Sequence, residues 1–407
     1  MRIFGFNLSC HVQPSFLLII FAISSSVLWS QGKYYDEHIR FIAYPGFPDQ
    51  HSTWNDIGIS HTHKEVYVGV TNHHDKIALY AYDIIQDSMI SYGFIDEQAN
   101  LRSHQWQGKI HSKIIEGPNG LMYFSTDGGE SREEYLMNHP HGYAGGFFMS
   151  WDPAQKKLQN LGMGLPFESI KDIDIDPATK TLYGVTYPQA HLLLYQPQEN
   201  ILRDLGRLAS AHVPRVLFTD QWGNCYYVDW RQRLVKYETV SDSLIFADST
   251  LPKFTGTPGS TIITGITAYA KDLEKGVIYL VTYGAKIVAF YPQQSGIGAC
   301  KDLGGVFDLP QGTEWKPYVP NLNVGLNGKL YYIVGGHGNF IKQDKTLMME
   351  FDIESGEKVV LYEFPIHEIA EATGSDVRDE FGHIYFAGRR RLPDNMSKPF
   401  LIKYKPQ

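Results

Sequence analysis

Seven copies of one strand pattern predict an all-β fold for this 407-residue sequence, a seven-bladed β-propeller with four-stranded antiparallel blades. The copies recur at spacings of about 44–59 residues, and no helical pattern separates them. Their central strand pairs read, in order, KEVYVGV/KIALYAYD, GLMYFST/GGFFMSWDP, KTLYGVTY/AHLLLYQP, NCYYVDW/RLVKYE, GVIYLVTY/AKIVAFYP, KLYYIVGG/TLMMEFD and HIYFAGR/FLIKYKP. Aromatic residues make up 14% of the chain, which suits strands that pack face to face.

Turn residues separate the strands in each copy. The turns between the first and second strands read HTHKE, EGPNG, DPATK, DQWGN, KDLEKG, GLNGK and DEFG. A second set, between the third and fourth strands, reads DIIQDS, DPAQKK, QPQEN, ETVSDS, YPQQSG and DIESGE. Gly, Asn and Asp tolerate the positive φ of tight hairpins, so both sets predict hairpin connections.

The seventh copy ends after three strands, at FLIKYKPQ. The segment HIRFIAYPG (38–46) lies before the first complete copy and has the pattern of a lone strand. Pairing it with the last three strands would close the ring and leave no blade with a free edge. We therefore predict one propeller domain over residues 31–407, and a closed ring of this kind is expected to be a monomer.

The first thirty residues predict a secretory signal peptide. Arg2 supplies positive charge, Phe16–Trp29 forms an apolar stretch, and Ser30 begins a small-residue cleavage point. The apolar stretch is shorter than a membrane-spanning helix requires, although a retained N-terminal anchor is the alternative. The mature protein is thus expected to be secreted or periplasmic, with no membrane partner after cleavage.

The net charge limits the classes of binding partner, and the cysteine content limits the disulfide bonds that the chain can form. The formal net charge of −8 disfavours nucleic acid and anionic membranes, both of which need a basic surface. Beyond the signal peptide only Cys225 and Cys300 remain, which is too few for a disulfide framework. Cys225, inside the strand NCYYVDW, is expected to be a buried small hydrophobe, and a bond to Cys300 is not predicted.

Propeller topology assigns the loops to two faces. Both sets of hairpin turns lie on one face, and the loops between second and third strands lie on the other with the crossings to the next blade. The second face receives most of the residues that carry chemistry. Its candidate catalytic residues are His111, His141, Tyr187, His212 and Arg215. Its candidate substrate-binding residues are Trp54, Trp106, His191, Arg231, Tyr283, His337 and Arg389. Loops on a rigid scaffold are common sites of function, so this face predicts a functional pocket.

The residue types favour cleavage of an acidic, uronate-containing polysaccharide by β-elimination. Arg215 would neutralise the substrate carboxylate by bidentate pairing. His111 or Tyr187 would act as the base, and His141 or His212 as the acid for the leaving oxygen. The ligand would be an anionic polysaccharide or oligosaccharide, and this chemistry requires no cofactor.

Two other functions fit the same face. Several neutral imidazoles could bind a divalent metal at the histidine-rich mouth, as in a metal-dependent hydrolase or lactonase. The face could also be a non-catalytic glycan- or protein-binding platform on which tryptophans stack. Elsewhere, DIDIDP (172–177) places acids along a strand, but it lacks the glycine and terminal glutamate of a calcium loop. We interpret its Asp-Pro pair as the start of a turn.

The apolar strands, their Gly-Asn or Asp-Pro turns and the YxxxxxY pattern resemble a group of secreted bacterial propellers related to quinoprotein-like and YVTN-like repeats. That resemblance covers roughly residues 38–405 and implies architecture more than activity. A mouth with His, Tyr and Arg is also similar to propeller polysaccharide lyases, including those acting on ulvan and oligogalacturonate. In those families a His or Tyr works with an Arg, and some carry a histidine-bound metal. The resemblance implies these roles for His111, His141 and Arg215, with Tyr187 beside them.

Overall fold

The computed structural model describes residues 33–34, 36–72, 76–102, 105–128, 144–208, 214–252, 265–308, 317–335, 345–392 and 397–407. Apart from one helical turn, the regular elements in these ranges are strands. The predicted signal peptide, residues 1–30, lies outside them. None of the described residues forms a helix that is long and apolar enough to cross a bilayer.

The strands follow one another in short hairpins. The first strands are β1 (Lys33–Tyr34), β2 (Ile39–Ala43), β3 (Ile57–Ser60), β4 (Glu65–Thr71), β5 (Ile77–Asp83) and β6 (Ser88–Phe94). Helix α1 (Ile95–Gln98) precedes β7 (Lys109–Ile110), β8 (Ile115–Glu116), β9 (Met122–Asp127), β10 (Phe147–Asp152) and β11 (Lys157–Met163). Two further groups are β12 (Ser169–Ile175), β13 (Leu182–Tyr187), β14 (His191–Gln196), β15 (Ile201–Arg207), and β16 (Phe218–Thr219), β17 (Cys225–Val228), β18 (Arg233–Glu238), β19 (Ser243–Thr250).

The remaining strands complete the described chain. They are β20 (Ile266–Asp272), β21 (Val277–Thr282), β22 (Lys286–Tyr291), β23 (Ala299–Gly305), β24 (Asn321–Val324), β25 (Leu330–Val334), β26 (Lys345–Phe351), β27 (Lys358–Pro365), β28 (Glu371–Ser375), β29 (Ile384–Arg391) and β30 (Ser397–Tyr404). The long runs of Val, Ile, Tyr and Phe in them favour extended backbone.

Five of the sheets stand as separate antiparallel blades. They are β3–β6, β7–β11, β12–β15, β16–β19 and β20–β23. In the third of these the innermost strand β12 is buried throughout, whereas the outermost strand β15 is mostly exposed. Neighbouring blades pack face to face: Phe218 stacks on Tyr226 of its own blade and meets Phe290 of the next blade edge-on, at 6.0 Å between ring centroids. The architecture is therefore an all-β propeller with four-stranded antiparallel blades.

The other nine strands form one sheet, in the order β1-β2-β30-β29-β28-β24-β25-β26-β27. Its pairings are antiparallel except where β24 and β28 run parallel, with Asn321 opposite Gly374 and Leu322 opposite Ser375. Seven separate blades were predicted and five are present, because this parallel pairing joins two innermost strands into one sheet. At the other end, β2 pairs with β30, with Ile39 opposite Tyr404.

A bulge recurs between the third and fourth strands of the blades. The register shifts at this step in β5/β6, β10/β11, β14/β15, β18/β19, β22/β23 and β26/β27. In three of the fourth strands the bulge contains Asn-Leu-Gly or Asp-Leu-Gly, and the glycines are Gly162, Gly206 and Gly304 with φ of 132°, 92° and 107°. The Asn or Asp two residues earlier accepts the glycine N–H at 2.8–2.9 Å. Glycine is required because side-chain-bearing residues avoid this φ.

The two cysteines behave as the sequence predicts. Cys225 is fully buried in β17, Cys300 is exposed on β23, and both thiols are free. Asp176 begins the turn after β12, where it accepts the N–H of Ala178, as we expected for the Asp-Pro pair. The preceding acids are paired with lysines: Asp172 Oδ2 lies 2.8 Å from Lys113 Nζ, and Asp174 Oδ2 lies 3.0 Å from Lys271 Nζ.

Candidate functional site

One small cavity brings together residues from the starts of several innermost strands and Tyr283 from the loop between β21 and β22. Its lining includes Trp54, His111, Arg215, Tyr283, Tyr318 and Glu371. Four of these six were predicted site residues, and they come from sequence segments more than fifty residues apart, which the propeller topology gathers at one face. We call this group, with Lys109, Lys171 and Asp127 described below, the mouth cluster.

His111 is held in a defined tautomer. Its Nδ1 lies 3.0 Å from the carbonyl oxygen of Lys171, and since a carbonyl can only accept, Nδ1 carries the proton. The lone pair therefore resides on Nε2. Burial, together with the positive charges of Lys171 and Lys109, lowers the pKa of His111 well below 6.5. The imidazole is neutral at physiological pH and can accept a proton at Nε2.

Two lysines that we did not predict lie beside His111. Lys171 Nζ forms an ion pair with Asp127 and lies 4.8 Å from the ring centroid of Tyr187. Lys109 Nζ lies 5.1 Å from the ring centroid of Trp54. Burial lowers the pKa of Lys171 to about 8 although Asp127 opposes this, and Lys109 adds to the lowering.

Arg215 adds a third cation. Interaction with the phenol of Tyr283 raises the pKa of the Arg215 guanidinium, and a hydrogen bond to Tyr318 raises this pKa further. The Tyr283 and Tyr318 rings lie 6.2 Å apart, and burial raises the pKa of both phenols, so both hydroxyls keep their protons. Asp127 is the carboxylate that lies among these three cations. Because positive charge is in excess, the centre of the mouth cluster attracts anions.

Arg389 is already engaged. Its Nη2 and Nε lie 2.9 and 3.1 Å from Glu371 Oε2, and its guanidinium lies 5.7 Å from the ring centroid of Trp54. Because the charges of Arg389 and Glu371 cancel, the pair adds little net charge that could attract a ligand. Arg389 instead orders the wall of the cavity beside Trp54.

Besides Arg389, which contacts the lining residue Glu371 without lining the cavity itself, three predicted substrate-binding residues lie outside this cavity. His191 contacts Asp204 at 2.9 Å, between β14 and β15 in the outer part of its blade. Arg231 is exposed and stacks on Trp230 at 4.9 Å. Trp106 is buried, with 8% of its surface exposed, so its ring offers no open platform for a sugar. The predicted residues His141, His212 and His337 lie outside the described ranges.

Sequence reasoning missed Lys109, Lys171, Asp127 and Glu371. The available signal was position in the repeat, because Lys109 and Lys171 occupy crossings to innermost strands, as Arg215 does. We weighted histidines in these crossings and passed over the lysines beside them. Within the described ranges no three His, Cys, Asp or Glu side chains are grouped to hold a metal ion.

The fold and this mouth define a β-propeller with a cationic pocket. No protein-family model matches the chain, and no curated protein sequence resembles it. Among solved structures, the β-propeller domain of Myceliophteria thermophila Cps50 (Swd1) is similar over 87% of this chain and 99% of its own, with 11% identity and a TM-score of 0.57. A chain of the mitotic checkpoint complex is similar over 98% of both chains, with 12% identity and a TM-score of 0.51. At such identities the likeness extends to the fold alone.

His111 predicts a dependence of stability on pH. Its pKa in the folded protein lies below the unfolded value of 6.5, so below that pH the unfolded chain binds a proton that the folded protein does not. This contribution to stability is then fully present above pH 6.5 and is lost as the pH falls toward the folded pKa, by up to about 1.4 kcal/mol per pH unit.

The variant His111→Asn tests this, because its amide keeps a donor for the Lys171 carbonyl but cannot titrate. Urea denaturation from about pH 8 to about pH 5 should show a smaller loss in H111N than in wild type. Equal losses would contradict the assignment.

Proposed function

We propose that the mouth cluster binds a uronate-containing polysaccharide and cleaves it by β-elimination. The observation that supports this most is a neutral imidazole surrounded by three cations, His111 among Lys109, Lys171 and Arg215. Elimination beside a carboxylate needs cations to stabilise the charge that develops on the carboxylate and an unprotonated base for the adjacent proton.

The described side chains can be given roles in that reaction. Arg215 pairs with the uronate carboxylate, and Lys171 or Lys109 stabilises the charge that develops on it. Nε2 of His111 takes the proton from C5, the electron pair forms the C4=C5 double bond, and the C4–O bond breaks. The hydroxyl of Tyr283 or Tyr318 gives its proton to the leaving oxygen, since an alkoxide is a stronger base than a phenolate. Tyr187, beside Lys171, is the alternative base.

The lyase proposal predicts an unsaturated product. Incubation of the purified protein with pectin, alginate, ulvan and glycosaminoglycans should give a rise in ultraviolet absorbance from the C4=C5 bond with one of them. His111→Asn should lower kcat by about 10²–10⁴-fold and Arg215→Gln should lower kcat/KM by about 10²–10³-fold. Arg231→Gln is the matched control, because Arg231 is exposed outside the cavity, and it should leave both constants unchanged.

A flat absorbance trace from the folded protein would contradict the lyase proposal. Loss of hydrolytic activity on chelation would instead favour the metal-dependent hydrolase or lactonase. A second candidate, a non-catalytic glycan- or protein-binding platform, is favoured by the pKa of His111, because a base so far depressed accepts protons poorly. In that case calorimetry should detect an oligouronate whose binding Arg215→Gln weakens without any turnover.

We also propose that the fold is a ring of seven blades closed by the N-terminal strand. The nine-stranded sheet divides at the parallel β24–β28 pairing into β24–β27 and β28–β30 with β2. Each part has the antiparallel order of a blade. Export directed by residues 1–30 would place the mouth cluster outside the cytoplasm, where such polysaccharides occur.

A further inference from the structure

The face opposite the mouth cluster carries a second, larger cavity. Its volume is about 380 Å³, and its lining comes mostly from turns between first and second strands. In the sequence we interpreted these turns only as hairpin connections, although they carry titratable residues such as His61 and Glu274. We call this opening the turn-face cavity, and the residues used below are Lys271, Leu273, Glu274, Leu326, Asp376 and Arg378.

Exposed apolar side chains stand on the turns of consecutive innermost hairpins. Trp222 follows β16, Leu273 follows β20, Leu326 follows β24 and Phe381 follows β28, and they are 37%, 71%, 65% and 56% exposed. Leu326 also contacts the turn that holds Phe381, since a Cβ at Gly382 would lie 2.8 Å from its Cδ1. Hairpin turns need only polar or glycine residues, so four large apolar side chains on adjacent turns indicate a surface that another molecule covers.

Arg378 differs from the lysines that line the cavity in how its charge is paired. Lys271 Nζ is paired with Asp174 at 3.0 Å, and Lys275 Nζ lies 3.6 Å from Asp272. Half-buried Arg378 donates from Nη1 to the carbonyl oxygen of Val324 at 2.8 Å. Within the described part of the chain, it forms no ion pair with a carboxylate. Its other nitrogens are suited to receive a carboxylate from a ligand.

The acidic groups around Arg378 limit what that ligand can be. Asp376 and Glu274 both line the cavity, and Glu274 is exposed. Desolvation by the surrounding protein raises the pKa of Asp376, whereas Lys271 and, less strongly, Arg378 oppose this without an ion-pair contact. These carboxylates would repel a polyanion such as a polyuronate. A ligand with a single carboxylate flanked by apolar groups would instead pair with Arg378 and pack on the exposed apolar side chains at the same time.

We propose that the turn-face cavity binds a peptide segment of a partner protein, in which a bulky apolar side chain neighbours one carboxylate. The carboxylate pairs with Arg378, and the apolar side chains pack on Leu273, Leu326 and Phe381. This site is independent of the mouth cluster and of the reaction proposed there.

A random-peptide phage library selected on the full-length protein tests this. Selected peptides should be enriched in a large apolar residue next to Asp, Glu or the peptide carboxyl terminus. Measured by fluorescence anisotropy, Arg378→Gln and the double variant L326S/F381S should each weaken binding by about tenfold or more. Ile85→Ser is the apolar control, because Ile85 is 60% exposed on a hairpin turn away from this cavity. Arg215→Gln is the control for the opposite face, and both controls should bind as wild type does.

Three results would overturn the proposal. One is that no peptide is enriched, and another is that the enriched peptides bind Arg378→Gln as tightly as wild type. The third is self-association in sedimentation that L326S/F381S abolishes, because the patch would then bind a second copy of this chain. Circular dichroism of each variant establishes that it is folded before binding is measured.

Discussion

A chain that begins at Phe47 is expected to lose cooperative folding. It lacks β2, whose Ile39 and Ile42 are 0% and 3% exposed and pair across to Tyr404 and Leu401. Burial of each isoleucine contributes about 1.5–3 kcal/mol, and the ladder to β30 contributes backbone hydrogen bonds as well. Since a whole domain is stable by only about 5–15 kcal/mol, this loss is a large part of the total. The exposed edge of β30 should also promote aggregation.

Circular dichroism during heating and size-exclusion chromatography would measure the effect. The matched control is a chain that begins at Lys33 and keeps β1 and β2, which should unfold cooperatively as the full chain does. A synthetic peptide of residues 36–46 should restore a cooperative transition to the shortened chain, and the same peptide with I39D and I42D should not. An unchanged unfolding midpoint in the shortened chain would refute the proposed ring closure.

Asp127→Asn should be the most destabilising single change in the mouth cluster. Although burial by itself would raise the pKa of Asp127, Lys171 and Lys109 hold it well below its ordinary value, so the carboxylate is ionised. The variant keeps the shape of the side chain but leaves Lys171 buried without its counter-charge. Removing one partner of a buried ion pair costs about 3–5 kcal/mol.

Urea denaturation would give the free energies of unfolding. Adding Lys171→Met to Asp127→Asn should recover part of the loss, because the uncompensated charge is then gone. Glu363→Gln is the contrast: Glu363 pairs with Lys345 at the surface, where both side chains are more than half exposed. Its cost should be no more than about 1 kcal/mol. If Asp127→Asn cost as little as Glu363→Gln, the buried pair would contribute nothing to stability.

The strands and turns were predictable from sequence because each has a local cause. Runs such as Glu65–Thr71 favour extended backbone, and glycine or aspartate closes the hairpins. The pairing of β24 with β28 was not predicted, because it joins the innermost strands of two different repeats. The side-chain amides of Asn321 and Asn323 donate across it to the carbonyl oxygens of Ala372 and Gly374, and we did not use these residues as a signal. The recurring Leu-Gly bulge of the fourth strands was visible in the sequence as Asn-Leu-Gly and Asp-Leu-Gly, and we did not use it.

The mouth cluster was predictable in part. Topology alone brought His111, Arg215, Tyr283 and Trp54 to one face, and the cavity lining includes all four. The engagement of Arg389 by Glu371 and the burial of Trp106 depend on side-chain packing, which loop position does not determine. The depressed pKa of His111 likewise arises from burial and then from Lys171 and Lys109, all of which are fixed only by the fold.

The pairing of β2 with β30 joins strands that are among the first and the last of the described chain to leave the ribosome. While the chain is being made, β2 can pair with β1 but not yet with β30, so its apolar face must stay in water or be held by another protein. Contacts between such distant segments form slowly, because a long loop must close before they contribute any stability. During that interval the β2 of one molecule can pair with the β30 of another. High-level expression should therefore favour strand-exchanged oligomers, and slow synthesis should favour monomers.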